Sequence, residues 1–203
     1  MRYVMSGICV MAAGSSCLAA IVGTTGAGLL VAPPPSLAPG AFANGTTVYA
    51  MNEKQGVLFN GLIDRYLPAI GTTYVLSSAF PLNPGPRWVN SHLLHFDNQG
   101  VPQAGPVTGT VTFDKAIIGV IFTRQRLDLS DAALGNPGTV YPFGHLNRGF
   151  SSVIDSFTLL SPFTLRFTLA NGGAMDQIRV LTVPGPGTLA CGVGLICLAR
   201  RRR

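Results

Sequence analysis

Three histidines, seven aspartates and a single glutamate carry nearly all the acid, base and hard-ligand chemistry available to this 203-residue chain. His92 and His95 are three positions apart, with Asp97 just beyond them. On a strand, residues three apart point to opposite faces, so only His95 and Asp97 would share one. Adding His145, from a Gly-rich stretch, gives His95, Asp97 and His145 as the one metal-ligating set the histidines allow. Structural or solvated roles are the expectation for all three. Calcium, as the only cofactor considered, would draw oxygen ligands from Asp97-Asn98-Gln99, or from Asp128 with Asp131. Turns and helix caps use the same residue types. Trp88, Tyr74, Tyr141 and Phe143 offer flat faces on which sugar rings could stack.

Covalent chemistry has weaker footing. Neither Ser151-Ser152 nor Ser77-Ser78 lies in a Gly-x-Ser-x-Gly elbow. No His-Glu-x-x-His or phosphate-loop motif occurs. A glycosidase pair is defined by a separation in space of about 5–9.5 Å, which a sequence does not reveal. Glu53 is the only glutamate such a pair could use. No catalytic residues are therefore assigned, and a non-enzymatic protein is expected. Cys9, Cys17, Cys191 and Cys197 all lie near the ends, which leaves the middle with neither a disulfide framework nor a cysteine zinc site.

The elements that must position these residues are short. Apolar or β-branched runs cover Thr46–Met51, Thr72–Ser78, Trp88–Phe96, Val107–Phe113, Ala116–Thr123, Ser152–Leu160, Phe163–Leu169 and Met175–Thr182. Turn signals separate them, among them Asn83-Pro84-Gly85-Pro86 and Asn136-Pro137-Gly138. Phe163-Thr-Leu-Arg-Phe-Thr-Leu169 alternates apolar and polar, as a half-buried strand does. Ile117 to Phe122 is apolar almost throughout, which predicts a central strand covered on both faces. Leu127–Leu134 reads as a single helical turn capped by Ser130 or Asp128. The predicted fold is all-β, a two-sheet antiparallel sandwich of jelly-roll type spanning 44–182.

The ends differ from this body. Residues 1–43 begin with Arg2, continue apolar and acid-free, and finish in Ala41-Phe42-Ala43, a small-x-small cleavage pattern. This reads as a signal peptide cut after Ala43. Residues 183–203 comprise Val183-Pro184-Gly185-Pro186-Gly187, an apolar run from Thr188 to Ala199, and Arg200, Arg201, Arg202 and Arg203. A helix of that apolar run rises only about 18 Å, against a hydrocarbon core of about 30 Å, so the flanking residues must help it span. The arginines should stay cytoplasmic and leave the body outside. Between Asn44 and Thr182, nine Lys/Arg face eight Asp/Glu. That near balance excludes the basic stripe a nucleic-acid partner requires.

The tail resembles the PEP-CTERM sorting signal of exopolysaccharide-producing Gram-negative bacteria, with Gly185 where that family has glutamate. The same tail has been labelled an ice-binding-protein C-terminal domain, a name that does not establish ice binding. The stretches Asn90–Asp97, Gly109–Asp114, Leu134–Thr139 and Asp176–Val180 look like the body of secreted all-β proteins of this group. The resemblance implies passage through the secretion machinery, recognition by an exosortase-type membrane protease, and delivery to the cell envelope, the outer surface or the extracellular matrix. It implies a structural role there, beside extracellular polysaccharide. A lectin-like carbohydrate-binding module, with or without calcium, is the second reading, and a hydrolase of envelope glycans the third.

Overall fold

A computed structural model describes residues 20–103, 105–170 and 175–185. The four cysteines, Pro186 and Arg200–Arg203 lie outside these residues, and so does the apolar run expected to span a membrane. Among the described residues no helix is long and apolar enough to cross one.

The chain forms two packed sheets. Twelve strands occur among the described residues: β1 (Ile21–Gly26), β2 (Gly28–Leu30), β3 (Val48–Asn52), β4 (Val57–Phe59), β5 (Arg65–Tyr66), β6 (Thr73–Val75), β7 (Arg87–Asp97), β8 (Val107–Phe113), β9 (Ile117–Ile121), β10 (Ser156–Ser161), β11 (Thr164–Leu169) and β12 (Met175–Thr182). The first sheet runs β1-β8-β11-β10-β6. The second runs β2-β3-β7-β12-β9-β5, and β4 pairs with the early part of the long β7. Apart from the parallel pair β2-β3, every pairing between strands is antiparallel. Each of the eight runs read as strands from the sequence overlaps one.

The alternation on β8 and β11 explains the first sheet. Val111, Phe113, Leu165, Phe167 and Leu169 face the second sheet and are buried. There they meet Leu94, Phe96, Val120, Ile178 and Val180. Phe157 sits at the aromatic centre, 4.9 Å from the Tyr74 ring and 5.5 Å from that of Phe122. The threonines of the alternate positions pair across strands on the outer face, Thr25 with Thr110 at 2.7 Å and Thr73 with Thr158 at 2.8 Å.

The second sheet is buried on both faces. Leu93, Val89, Leu181 and Ile121 point away from the first sheet and pack against Leu127 and Leu134 of helix α1 (Arg124–Leu134). This third layer was not expected. The strands with continuous burial are β7 from Val89 onward and the whole of β12, rather than the apolar Ile117–Phe122 run. On β9, Ile118 remains half-exposed, and only the two-residue β5 lies beyond it.

Helix α1 is longer than the single turn expected, and its cap is different. Neither Ser130 nor Asp128 holds its N-terminus. The Asp64 carboxylate accepts the backbone N–H groups of Phe122 and Thr123, both at 2.8 Å, and the Thr123 hydroxyl at 2.9 Å. A buried acceptor there satisfies the N–H of Thr123, the residue that opens the helix, and sits favourably at the positive end of its dipole.

The boundary expected after Ala43 falls inside the fold. β1 forms an edge of the first sheet against β8, and β2 an edge of the second against β3. The chain crosses between the sheets at Gly26, whose φ is +61°. A Cβ at Gly26 would lie 2.5 Å from the Thr108 carbonyl oxygen, so only glycine fits this crossing. A Gly- and Thr-broken apolar segment suits an edge strand as well as a leader. A protein beginning at Asn44 lacks both edges, together with buried Ile21 and Leu37, each contributing about 1.5–3 kcal/mol of burial. Residues 20–185 should melt cooperatively in calorimetry, while 44–185 should show no cooperative transition. Equal melting of the two would contradict the placement of β1 and β2.

Candidate functional site

The densest polar chemistry lies between the second sheet and α1. Odd-numbered residues of β7 and β12 point toward the helix, which places Ser91, His95, Gln177 and Arg179 on that face. The register sets Gln177 opposite His95 and Arg179 opposite Leu93. From the helix, Leu127, Ser130 and Leu134 turn inward at helical spacing, with Asp128 and Asp131 alongside.

Arg179 is fully buried. Its Nε and Nη2 donate to Glu53, at 2.7 and 2.8 Å, in a bidentate pair. Nη1 donates to the Ser130 hydroxyl at 2.5 Å, and Nη2 also reaches Asp131 at 3.0 Å. Glu53 follows β3 and accepts two further hydroxyls, Ser91 and Tyr141, both at 2.6 Å. Burial alone would discourage the Arg179 charge, but Glu53 and then Asp131 more than offset it, so its pKa lies above the ordinary value. Tyr141 is shifted upward by burial and by the Glu53 carboxylate, and remains a neutral donor.

A second guanidinium continues the network. Arg148 Nη1 donates to Asp128 and to Asp131, both at 2.6 Å, and its Nε donates to Gln177 Oε1 at 2.8 Å. That contact fixes the Gln177 amide, whose Nε2 then donates to His95 Nδ1 at 2.9 Å. The His95 proton is thereby assigned to Nε2, which has no partner among the described residues. Burial lowers the His95 pKa to about 4, Arg148 adding to the shift and Asp97 partly opposing it. The Tyr141 ring lies near both cations, 5.5 Å from the Arg179 guanidinium carbon and 5.8 Å from that of Arg148.

These contacts reassign the residues singled out in the sequence. His95 and Asp97 are both buried on the helix-facing side of β7, but Asp97 is occupied by backbone. Its oxygens accept the Gly40 N–H at 2.6 Å and the Gln99 N–H at 2.8 Å. His145 shapes a turn, its carbonyl accepting the Arg148 N–H at 3.1 Å. Among the described residues no three or more His, Cys, Asp or Glu side chains are grouped to hold a metal, so His95, Asp97 and His145 do not form one. Between Asp128 and Asp131 the cation is the Arg148 guanidinium, where the sequence suggested calcium. Tyr74 belongs to the core and Trp88 is exposed on β7.

Tyr141 and Phe143 do come together with Asp128 and Asp131. They line an open cleft of about 450 Å³ with Lys54, Asn136 and Thr139. A second cleft of about 470 Å³, lined by Arg124, Gln125 and Leu129, shares Asp128 and Phe143 with the first. Phe143 stands between the two, 78% exposed. Its loop is tied down by the Gly144 N–H, which donates to Asp128 at 3.1 Å. The inner wall of this groove is thus built from the buried network, and its rim from Lys54, Phe143 and Arg124. Glu53, Arg148 and Arg179 were not legible as members, because Arg179 alternates with apolar neighbours as a solvent-facing residue would. The unusual solitary glutamate was the one available hint.

Val183, Pro184 and Gly185 follow β12. Val183 still bonds to its neighbours, its N–H to the Ala116 carbonyl at 3.0 Å and its carbonyl to the Asn90 side chain at 2.8 Å. No family model, no curated protein and no solved structure matches the chain.

A third polar spot sits at the far end of β12. Buried Asp155 staples its loop by accepting the N–H groups of Ser151, Ser152 and Ala170 at 2.6–2.9 Å. Burial and the Asp155 charge raise Asp176 to about 9. Asp176 therefore keeps its proton when folded and loses it when unfolded, so stability falls as pH rises from about 4 to 9. The two buried histidines act oppositely. Burial depresses His92 to about 3 and His95 to about 4, so stability falls as pH drops below about 6.5. Asp176→Asn should raise the melting temperature at pH 8 and leave it nearly unchanged at pH 4. An equal shift at both would refute the buried proton.

Proposed function

We propose that the protein is an exported, surface-directed component of the cell envelope or extracellular polysaccharide matrix, with no catalytic role. It passes through the secretion machinery and is sorted by an exosortase-type membrane protease acting on Val183-Pro184-Gly185-Pro186, while Arg200, Arg201, Arg202 and Arg203 hold the end of the chain on the cytoplasmic side. The observation supporting this reading is the seam between body and tail. β12 ends at Thr182 between β7 and β9, and the ladder stops where Pro184 lacks an N–H. An anchor attached there pulls on a strand held by neighbours on both sides, so the body can bear load without unzipping from an edge. The export segment ends ahead of Ile21, where β1 begins, which also fits the usual signal-peptide length of about 15–30 residues.

A second reading, a lectin-like carbohydrate-binding module, is favoured by one feature, the groove around exposed Phe143. Its shared aromatic wall can stack on a sugar ring, and its polar rim can hydrogen-bond sugar hydroxyls.

Intact-mass analysis of protein released from the cell surface tests the first reading. The mature species should begin near Ala20 and end within Val183–Gly187. Recovery of a surface species that retains both Met1 and Arg203 would overturn it.

A further inference from the structure

The groove has a charge pattern that selects among saccharides. Asp128 and Asp131 are paired from beneath with Arg148, at 2.6 Å each, and Asp131 also with Arg179 at 3.0 Å. Lys54, at one end, donates to the Ala132 carbonyl at 2.8 Å, and Arg124 lies exposed at the other. Among the described residues neither has a carboxylate partner; added to the network, where two guanidiniums face Glu53, Asp128 and Asp131, they leave the groove with one net positive charge. Between them stands Phe143, its ring open to solvent. It is held by Gly144, bonded to Asp128, and stands beside Tyr141, whose hydroxyl is already used by Glu53. An aromatic face costs free energy in water unless something apolar covers it. The C–H face of a pyranose ring is such a cover, and carboxylates elsewhere on the saccharide would meet the two cations.

We propose that the paired clefts bind an extended acidic oligosaccharide, one ring stacked on Phe143 and its carboxylates paired with Lys54 and Arg124. This rests on the carbohydrate-binding reading above and adds the ligand's charge to it. The inner wall needs no rearrangement to receive the chain, because Asp128, Asp131 and Tyr141 are fixed by the buried network. Preorganisation of that kind lowers the entropic cost of binding.

The test is calorimetric titration of the full-length protein in mild detergent with hexamers of galacturonic acid, of neutral glucose, and of thymidylate as a non-saccharide polyanion. The galacturonate hexamer should bind and the other two should not. Phe143→Ala should weaken binding about tenfold or more. Since Phe143 is exposed, that variant should melt at the same temperature as the parent. Lys54→Gln and Arg124→Gln should each weaken binding about threefold and flatten its salt dependence. If the neutral hexamer binds as well as the acidic one, the charge selection is wrong while the carbohydrate reading stands. If no saccharide binds, both fall. Thymidylate binding of equal strength would make the groove a general polyanion site, and full binding by Phe143→Ala would place the ligand elsewhere.

Discussion

The guanidinium of Arg179 is buried completely inside the protein, and much of the architecture around the second sheet follows from keeping it paired. An isolated charge in that position would be untenable, so its neighbours must supply both opposite charge and hydrogen-bond acceptors. Glu53 comes from the end of β3, Ser130 and Asp131 from α1, and Tyr141 from the loop after the helix. One side chain thus fixes where three separate segments sit. Arg148 extends the same logic to Asp128, Gln177 and His95. The helix layer rests on the sandwich through these ion pairs as well as through Leu127 and Leu134.

This arrangement connects burial to surface. Asp128, Asp131 and Tyr141 belong to the network on one side and to the groove wall on the other. The rim is formed by residues with no such duty, Lys54, Phe143 and Arg124. β12 carries Arg179 in its middle and hands the chain to Val183 and Pro184 at its end.

Local pattern made the two-sheet body legible. Val107–Phe113 and Met175–Thr182 could be read to the residue, because alternation and flanking turns act within a few positions. What was hidden depends on contacts distant in sequence. Glu53 and Arg179 are 126 positions apart, and nothing near either announces the other. β7 and β12 carry histidine, glutamine and arginine on a face that a helix distant in sequence covers. β1 and β2 were hidden for another reason: their glycines, threonines and leucines satisfy the requirements of an exported leader and of an edge strand alike. Of the site, Tyr141, Phe143, Asp128 and Asp131 were individually visible, but the chemistry assigned to the aspartates changed once Arg148 was seen between them.

Glu53 and Arg179 act as one unit that secures the helix layer. A double-mutant cycle by urea denaturation of the full chain tests it most directly, using Glu53→Gln, Arg179→Met and the double variant. Each single change leaves a buried charge without its partner and should cost about 3–5 kcal/mol. The double variant should cost less than the two singles combined, with a coupling of about 0.5–3 kcal/mol. Additive losses, or single variants within about 0.5 kcal/mol of the parent, would contradict the account.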